Sequence, residues 1–294
     1  LRWDKNAAEQ LMKFGGSVTA ISMFEYIGGS LDVMISGRLW SADDVGLYTK
    51  ASQLVTLPVE YISNALTAPM FPALCAAKDD SRKLYDEYLS DFLLVCVVEF
   101  SVCVGMAFTA DELIAVVLGD QWMCAANLFI IFCFAHAFNY SNTVIGIAME
   151  AAGKLKSKMI LQWTQIGILA GGIWLLRSWG MTGVAFSVLI AQIYKFFAIQ
   201  IIMGRLLRWS RADIRNIIGN LAYIILTQAL FQPAAGSAAK LLQLPLIISL
   251  ALHIFFGASA LVFICLIRPT SWIKEYVDIR NIIYTIFRRK GKDT

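Results

Sequence analysis

The chain has 294 residues, of which 58% are hydrophobic and 16% charged, with a mean hydropathy of +0.64 and a formal net charge of +4. Soluble domains carry about 45–50% apolar and about 25% charged residues; here the apolar residues gather in runs of about 20, enough to cross a hydrocarbon core of about 30 Å. A soluble enzyme, a disordered chain and a nucleic-acid-binding domain are excluded on that basis.

Eight membrane-spanning helices are expected, at about 14–36, 52–74, 89–110, 125–149, 157–176, 183–203, 216–236 and 244–267. The first is weakest in hydropathy because Glu25 and Asp32 interrupt it, yet Ser22, Glu25, Gly29, Asp32 and Ser36 recur at spacings of 3 and 4 and form one stripe. In the second, Gln53, Thr56, Glu60, Asn64 and Thr67 do the same, around a Pro58 that a transmembrane helix tolerates as a kink. The third carries Glu99 among apolar companions, an ambiguous position for which simple pairing with a neighbour is one reading.

His136, Asn139, Thr143 and Glu150 mark the fourth helix, with His136 read as a hydrogen-bonded packing residue. Lys195, in the sixth, is the one basic residue well inside a span. It lies about 15 Å along the helix from Arg205, too deep to snorkel easily. It is expected either to pair with Glu25, Asp32, Glu60 or Glu99, or to meet an anionic substrate group. The seventh helix carries Asn220, Tyr223 and Thr227, and the eighth is apolar on nearly every face. After Pro269, Trp272, Tyr276, Ile279, Ile283 and Ile286 repeat at helical spacing and predict an interfacial amphipathic helix followed by a basic tail, Arg288–Lys292.

Polar stripes in hydrocarbon either knit helices together, at about 0.6–2 kcal/mol per contact, or line a wet pathway. Three carboxylates on the first two helices favour the pathway. Lys and Arg fix the orientation. Of the 25, one set of alternate loops and termini holds 20, the other holds Arg38, Lys50, Arg177 and Lys240, and Lys195 is intramembrane. Both ends of the chain are therefore expected on the cytoplasmic side.

The six cysteines form no CxxC pair and are read as small apolar side chains, and His136 and His253 are too few for a metal cluster. No metal or cofactor is expected. Residues 1–13 carry no signal-peptide pattern, and the first residue is Leu, so a processed chain or a fragment is expected. No phosphate loop, HExxH, GxSxG or paired carboxylates occupy an aqueous loop, so an enzyme is not expected.

Several segments, in order and spacing, carry a family likeness. They are Leu31-Asp32, Ile35-Ser36-Gly37-Arg38, Val45-Gly46-Leu47-Tyr48-Thr49-Lys50-Ala51, Leu57-Pro58, Tyr61-Ile62-Ser63 and Phe71-Pro72-Ala73-Leu74. Gly119-Asp120-Gln121-Trp122, Gly153-Lys154, Trp179-Gly180 and Gly183-Val184-Ala185 follow. Over about residues 10–200 the chain resembles the bacterial oligosaccharide-lipid flippases for O-antigen, capsular and exopolysaccharides, whose superfamily includes multidrug and toxin extruders.

The resemblance implies an all-α integral membrane fold of fourteen spans, in two six-helix lobes and two extra helices. On that pattern residues 1–203 are the second lobe, 204–267 the two additional transmembrane helices, and 268–294 a cytoplasmic amphipathic helix and basic tail, with the first lobe absent. It further implies transport of undecaprenyl-pyrophosphate-linked oligosaccharide across the bacterial inner membrane by alternating access. Lys195, Gln53 and Asn64 are then the candidate substrate-binding residues, and Glu25, Asp32 and Glu60 the candidates for ion coupling or lumen charge. Implied partners are the lipid-linked oligosaccharide, membrane lipids, the missing N-terminal lobe and polysaccharide polymerase machinery, and no nucleic acid. The competing readings are a multidrug or cation exporter of the same superfamily, a half-transporter that dimerises, and a non-transporting scaffold subunit.

Overall fold

The computed structural model describes residues 5–77, 80–206, 211–241 and 245–267. Ten α-helices account for nearly all of them: α1 (Lys5–Leu39), α2 (Ala42–Thr67), α3 (Met70–Ala77), α4 (Ser81–Phe108), α5 (Ala110–Val117), α6 (Ala126–Ala151), α7 (Leu155–Leu176), α8 (Gly180–Leu206), α9 (Arg211–Leu241) and α10 (Leu246–Ile267). Each of the eight expected spans overlaps a helix, the second being divided between α2 and α3. The composition needed to cross a membrane is met by three continuous helical stretches, Arg82–Phe108, Asp120–Ala151 and Leu155–Arg205, the last folding back as α7 and α8. The expected interfacial tail helix lies outside the described residues.

Local chemistry explains where the helices depart from their expected limits. α2 begins ten residues early because Ser41 caps it, its hydroxyl accepting from the Asp44 amide at 3.2 Å. It stops at Thr67, just before Pro69, which has no amide hydrogen to continue the helical ladder, leaving α3 as a separate short helix. Asp80 caps α4 by accepting from the amides of Arg82 and Lys83. α5 is an element that hydropathy alone merges into a loop. It ends at Gly119, whose φ of +93° only glycine adopts readily, and a 3-10 turn over Asp120–Ala125 leads into α6. Gly153, φ +66°, closes α6: its amide donates to Glu150 O and the Lys154 amide to Met149 O, satisfying the last carbonyls.

α4 and α6 pack together at the centre, flanked by α2, α8 and α9. α10 lies against α9 and α4, while α1 rests chiefly on α7. Aromatic rings fill the middle, with centroids 5.1 Å apart for Phe100–Phe138, 5.3 Å for Phe138–Phe196 and 5.8 Å for Phe92–Phe196. Lipid tails are as apolar as leucine, so close van der Waals contact and interhelical hydrogen bonds hold such a bundle. Between α9 and α10, His253 Nδ1 lies 2.8 Å from Gln232 Oε1, and Gln228 Nε2 donates to Gly257 O at 3.4 Å.

Candidate functional site

α1, α6, α7 and α8 enclose a cavity of about 400 Å³, with Ser52 of α2 in its wall. The lining follows the helical stripes: Glu25, Gly28, Gly29 and Asp32 from α1, and His136, Asn139, Thr143, Gly146 and Glu150 from α6. α7 adds Lys158, Gln162 and Gln165, and α8 adds Gln192 and Lys195.

Three polar groupings line this space. Beside the α6–α7 turn, Lys158 Nζ stands 2.9 Å from Glu25 Oε1 and 2.6 Å from Glu150 Oε1, so one cation joins α1, α6 and α7. Further along, Lys195 Nζ donates to Gln162 Oε1 at 3.1 Å and makes no ion pair among the described residues. The third grouping links α1, α2 and α6: the Tyr48 hydroxyl donates to Asp32 Oδ2, and His136 Nε2 lies 3.2 Å from Thr56 Oγ1 and 3.4 Å from Ser52 Oγ. Asn142 Nδ2 donates to Gln192 O at 3.5 Å, while Asn142 Oδ1, Gln165 Oε1 and Gln192 Oε1 are buried without partners. The site offers two ammonium groups, three carboxylates and several amides inside a helical bundle.

Of the residues singled out from the sequence, Glu25, Asp32 and Lys195 line this cavity together. Gln53, Glu60 and Asn64 do not: they are exposed on the outer face of α2, beside Leu57 and Tyr61. The reason is periodicity. α2 buries Tyr48, Ala51, Val55, Val59, Ser63 and Thr67 at spacings of 3 and 4, which turns the Gln53–Glu60–Asn64 line away from the core. Ser52 and the half-buried Thr56 reach the inner side.

Lys158, Gln162 and Gln165 were not anticipated. Lys158 counts with the cytoplasmic loop cations in the charge tally, but it falls in the first turn of α7 and points inward. Spacings of 4 and 3 over Lys158, Gln162 and Gln165 are the available signal, the same pattern that marks α1. Gly28 allows α1 to approach: a Cβ there would lie 2.8 Å from Gln162 Nε2.

Comparison with known proteins adds the wider context. A family described as polysaccharide biosynthesis protein matches residues 1–127. A Klebsiella pneumoniae protein named as an uncharacterized membrane protein in the cps region is 24% identical over 211 residues, covering 69% of this chain and 44% of that protein. Teichuronic acid biosynthesis protein TuaB of Bacillus subtilis is 25% identical over 126 residues, 43% of this chain and 26% of TuaB. Lipopolysaccharide biosynthesis protein WzxC of Escherichia coli is 23% identical over 144 residues, 49% of this chain and 29% of WzxC. Over its first 127 residues the chain resembles the polysaccharide biosynthesis protein family.

The chain is a multi-pass membrane protein by its helices and its relatives. It covers less than half the length of each of these relatives. No solved structure matches it. The family match takes in α1 to α5, and with them Glu25, Asp32, Gln53, Glu60 and Asn64, whereas Lys158 and Lys195 lie beyond it.

Proposed function

We propose that this chain forms the second lobe of an alternating-access flippase that moves undecaprenyl-pyrophosphate-linked oligosaccharide from the inner to the outer leaflet, with α9 and α10 as additional helices. The observation that carries the reading is the charged, amide-lined cavity inside an apolar helical bundle. Buried ionisable groups are costly in a membrane, and where they line a cavity they mark a substrate or ion path. Lys195, which forms no ion pair among the described residues, suits an anionic pyrophosphate, while Asn and Gln amides suit sugar hydroxyls.

The outer face of α2 supports the two-lobed arrangement. Gln53, Glu60 and Asn64 are exposed on a helix whose opposite face is packed into the bundle. Facing lipid they are unfavourable; facing a second lobe across an aqueous cleft they are solvated. In this reading Glu25, Asp32 and Glu60 supply ion coupling or lumen charge. The cytoplasmic membrane is the location, and both chain ends face the cytoplasm.

Reconstitution tests it. Liposomes holding the chain with the amino-terminal half of a full-length relative should move a fluorescent lipid-linked oligosaccharide between leaflets, and Lys195→Met should slow that movement tenfold or more. Unchanged movement in Lys195→Met removes Lys195 from the substrate site, and no movement with both halves present argues against the flippase reading. A second reading, a cation exporter of the same superfamily, draws on the three lining carboxylates, Glu25, Asp32 and Glu150, against two lysines. Efflux of a fluorescent organic cation without lipid movement would favour it.

A further inference from the structure

Glu99 sits in the middle of α4, away from the cavity, with no exposed surface. Pairing with a neighbour is one reading of it from the sequence; among the described residues no cation reaches it, and neither carboxyl oxygen meets a donor in good hydrogen-bond geometry. Ser63 of α2 is its polar neighbour, and the Ser63 hydroxyl is also buried and unbonded. Among the described residues, no basic side chain on the helices packed against α4 acts on it. The titratable groups around it are Tyr140 of α6 and Cys96 and Cys103 of its own helix. α3, α5, α9 and α10 direct no charged group onto it.

A carboxylate enclosed in this way has only the Ser63 hydroxyl, and no cation among the described residues, to hold its charge. A cation would need room and further oxygen ligands, whereas a proton needs no room. Once protonated, the group also gains a donor for the unbonded Ser63 oxygen. Tyr140 is only partly buried and lies within electrostatic range of both Glu99 and Glu60, and Glu60 is exposed on the outer face of α2.

We propose that Glu99 is a proton-binding site of this protein, loaded in the conformation described here and exchanging its proton with the outer face of α2 through Tyr140 and Glu60. The exchange is balanced: Tyr140 accepts a proton from the Glu60 acid as it passes its own to the Glu99 carboxylate, leaving Glu60 ionised and Tyr140 unchanged. A change of packing between α2, α4 and α6 would then couple proton release to conformation. The inference requires only a membrane-embedded bundle and does not rest on what the cavity carries.

Infrared spectroscopy of the whole chain in lipid nanodiscs, without substrate, tests it. At neutral pH a carboxylic-acid C=O band should be present and should disappear in Glu99→Gln. In Glu60→Gln and Tyr140→Phe the band should remain, with its shift on transfer to heavy water slowed about tenfold. Should Glu99→Gln fail to fold, Ser63→Ala should move the same band by removing its acceptor. Spectra of the unaltered chain and Glu99→Gln that superimpose in this region, or a band indifferent to Ser63→Ala, overturn the site. Exchange unchanged in both Glu60→Gln and Tyr140→Phe overturns the route.

Discussion

Lys158 is the residue on which most interhelical charge depends. Its side chain is 15% exposed and serves two carboxylates, Glu25 at 39% and Glu150 at 24% exposure. Replacement by methionine would keep the packing and leave two acids facing each other. Breaking a fully buried pair costs about 3–5 kcal/mol; partial solvation lowers the expected loss to about 2 kcal/mol here. Thermal unfolding in detergent should therefore fall in Lys158→Met and recover in part when Glu150→Gln is added. Asp80 offers a cleaner pH experiment, being outside the membrane. The backbone amides of Lys83 and Arg82 hold its carboxyl below the ordinary value of 3.8. A depressed folded value means that the cap stabilises above the unfolded value and loses that contribution as pH falls through the folded one. Asp80→Asn should accordingly be less stable than the unaltered chain at pH 7, and their unfolding midpoints should converge in the acid range below 3.8.

Among the elements, the α7–α8 hairpin is the most tightly specified. A Cβ at Gly183 would lie 2.1 Å from the Leu176 carbonyl oxygen, a backbone atom that cannot rotate away. Gly183→Ala must therefore separate the two helices, with an expected cost of about 1–3 kcal/mol in unfolding measurements. Gly171 on the same hairpin has open space around its Cβ position. Gly171→Ala should leave stability unchanged or raise it by up to about 1 kcal/mol through helix propensity. Comparable losses from both substitutions would contradict this packing. The stripe on α6 and the inner half of the α1 stripe were legible as polar faces, because a 3.6-residue period fixes which side chains share a side. α2 differs: it carries polar residues on two faces, and periodicity alone could not tell which one looks inward.

At the level of the whole molecule, the charge pattern predicts a topology that labelling can read. With Cys75 and Cys124 replaced by serine, Ser178→Cys between α7 and α8 should react with a membrane-impermeant maleimide added outside intact cells. Lys154→Cys between α6 and α7 should react only after permeabilisation. The reverse pattern would invert the orientation. α1 rests chiefly on α7, with Lys158 as an ionic tether between them.

The helical class, the approximate limits of the long helices and the polar faces of α1 and α6 were determined by the sequence itself, because apolar run length and spacings of 3 and 4 act locally along one chain. The caps at Ser41 and Asp80 were there to be read by the same local chemistry. Which polar faces meet was decided only in three dimensions. Lys158 became a bridge between α1, α6 and α7, the Gln53–Glu60–Asn64 line turned outward, and Glu99 was enclosed without a partner. Each outcome depends on how α2, α4, α6 and α7 rotate about their axes when packed, and that rotation is fixed by contacts between residues far apart in the chain.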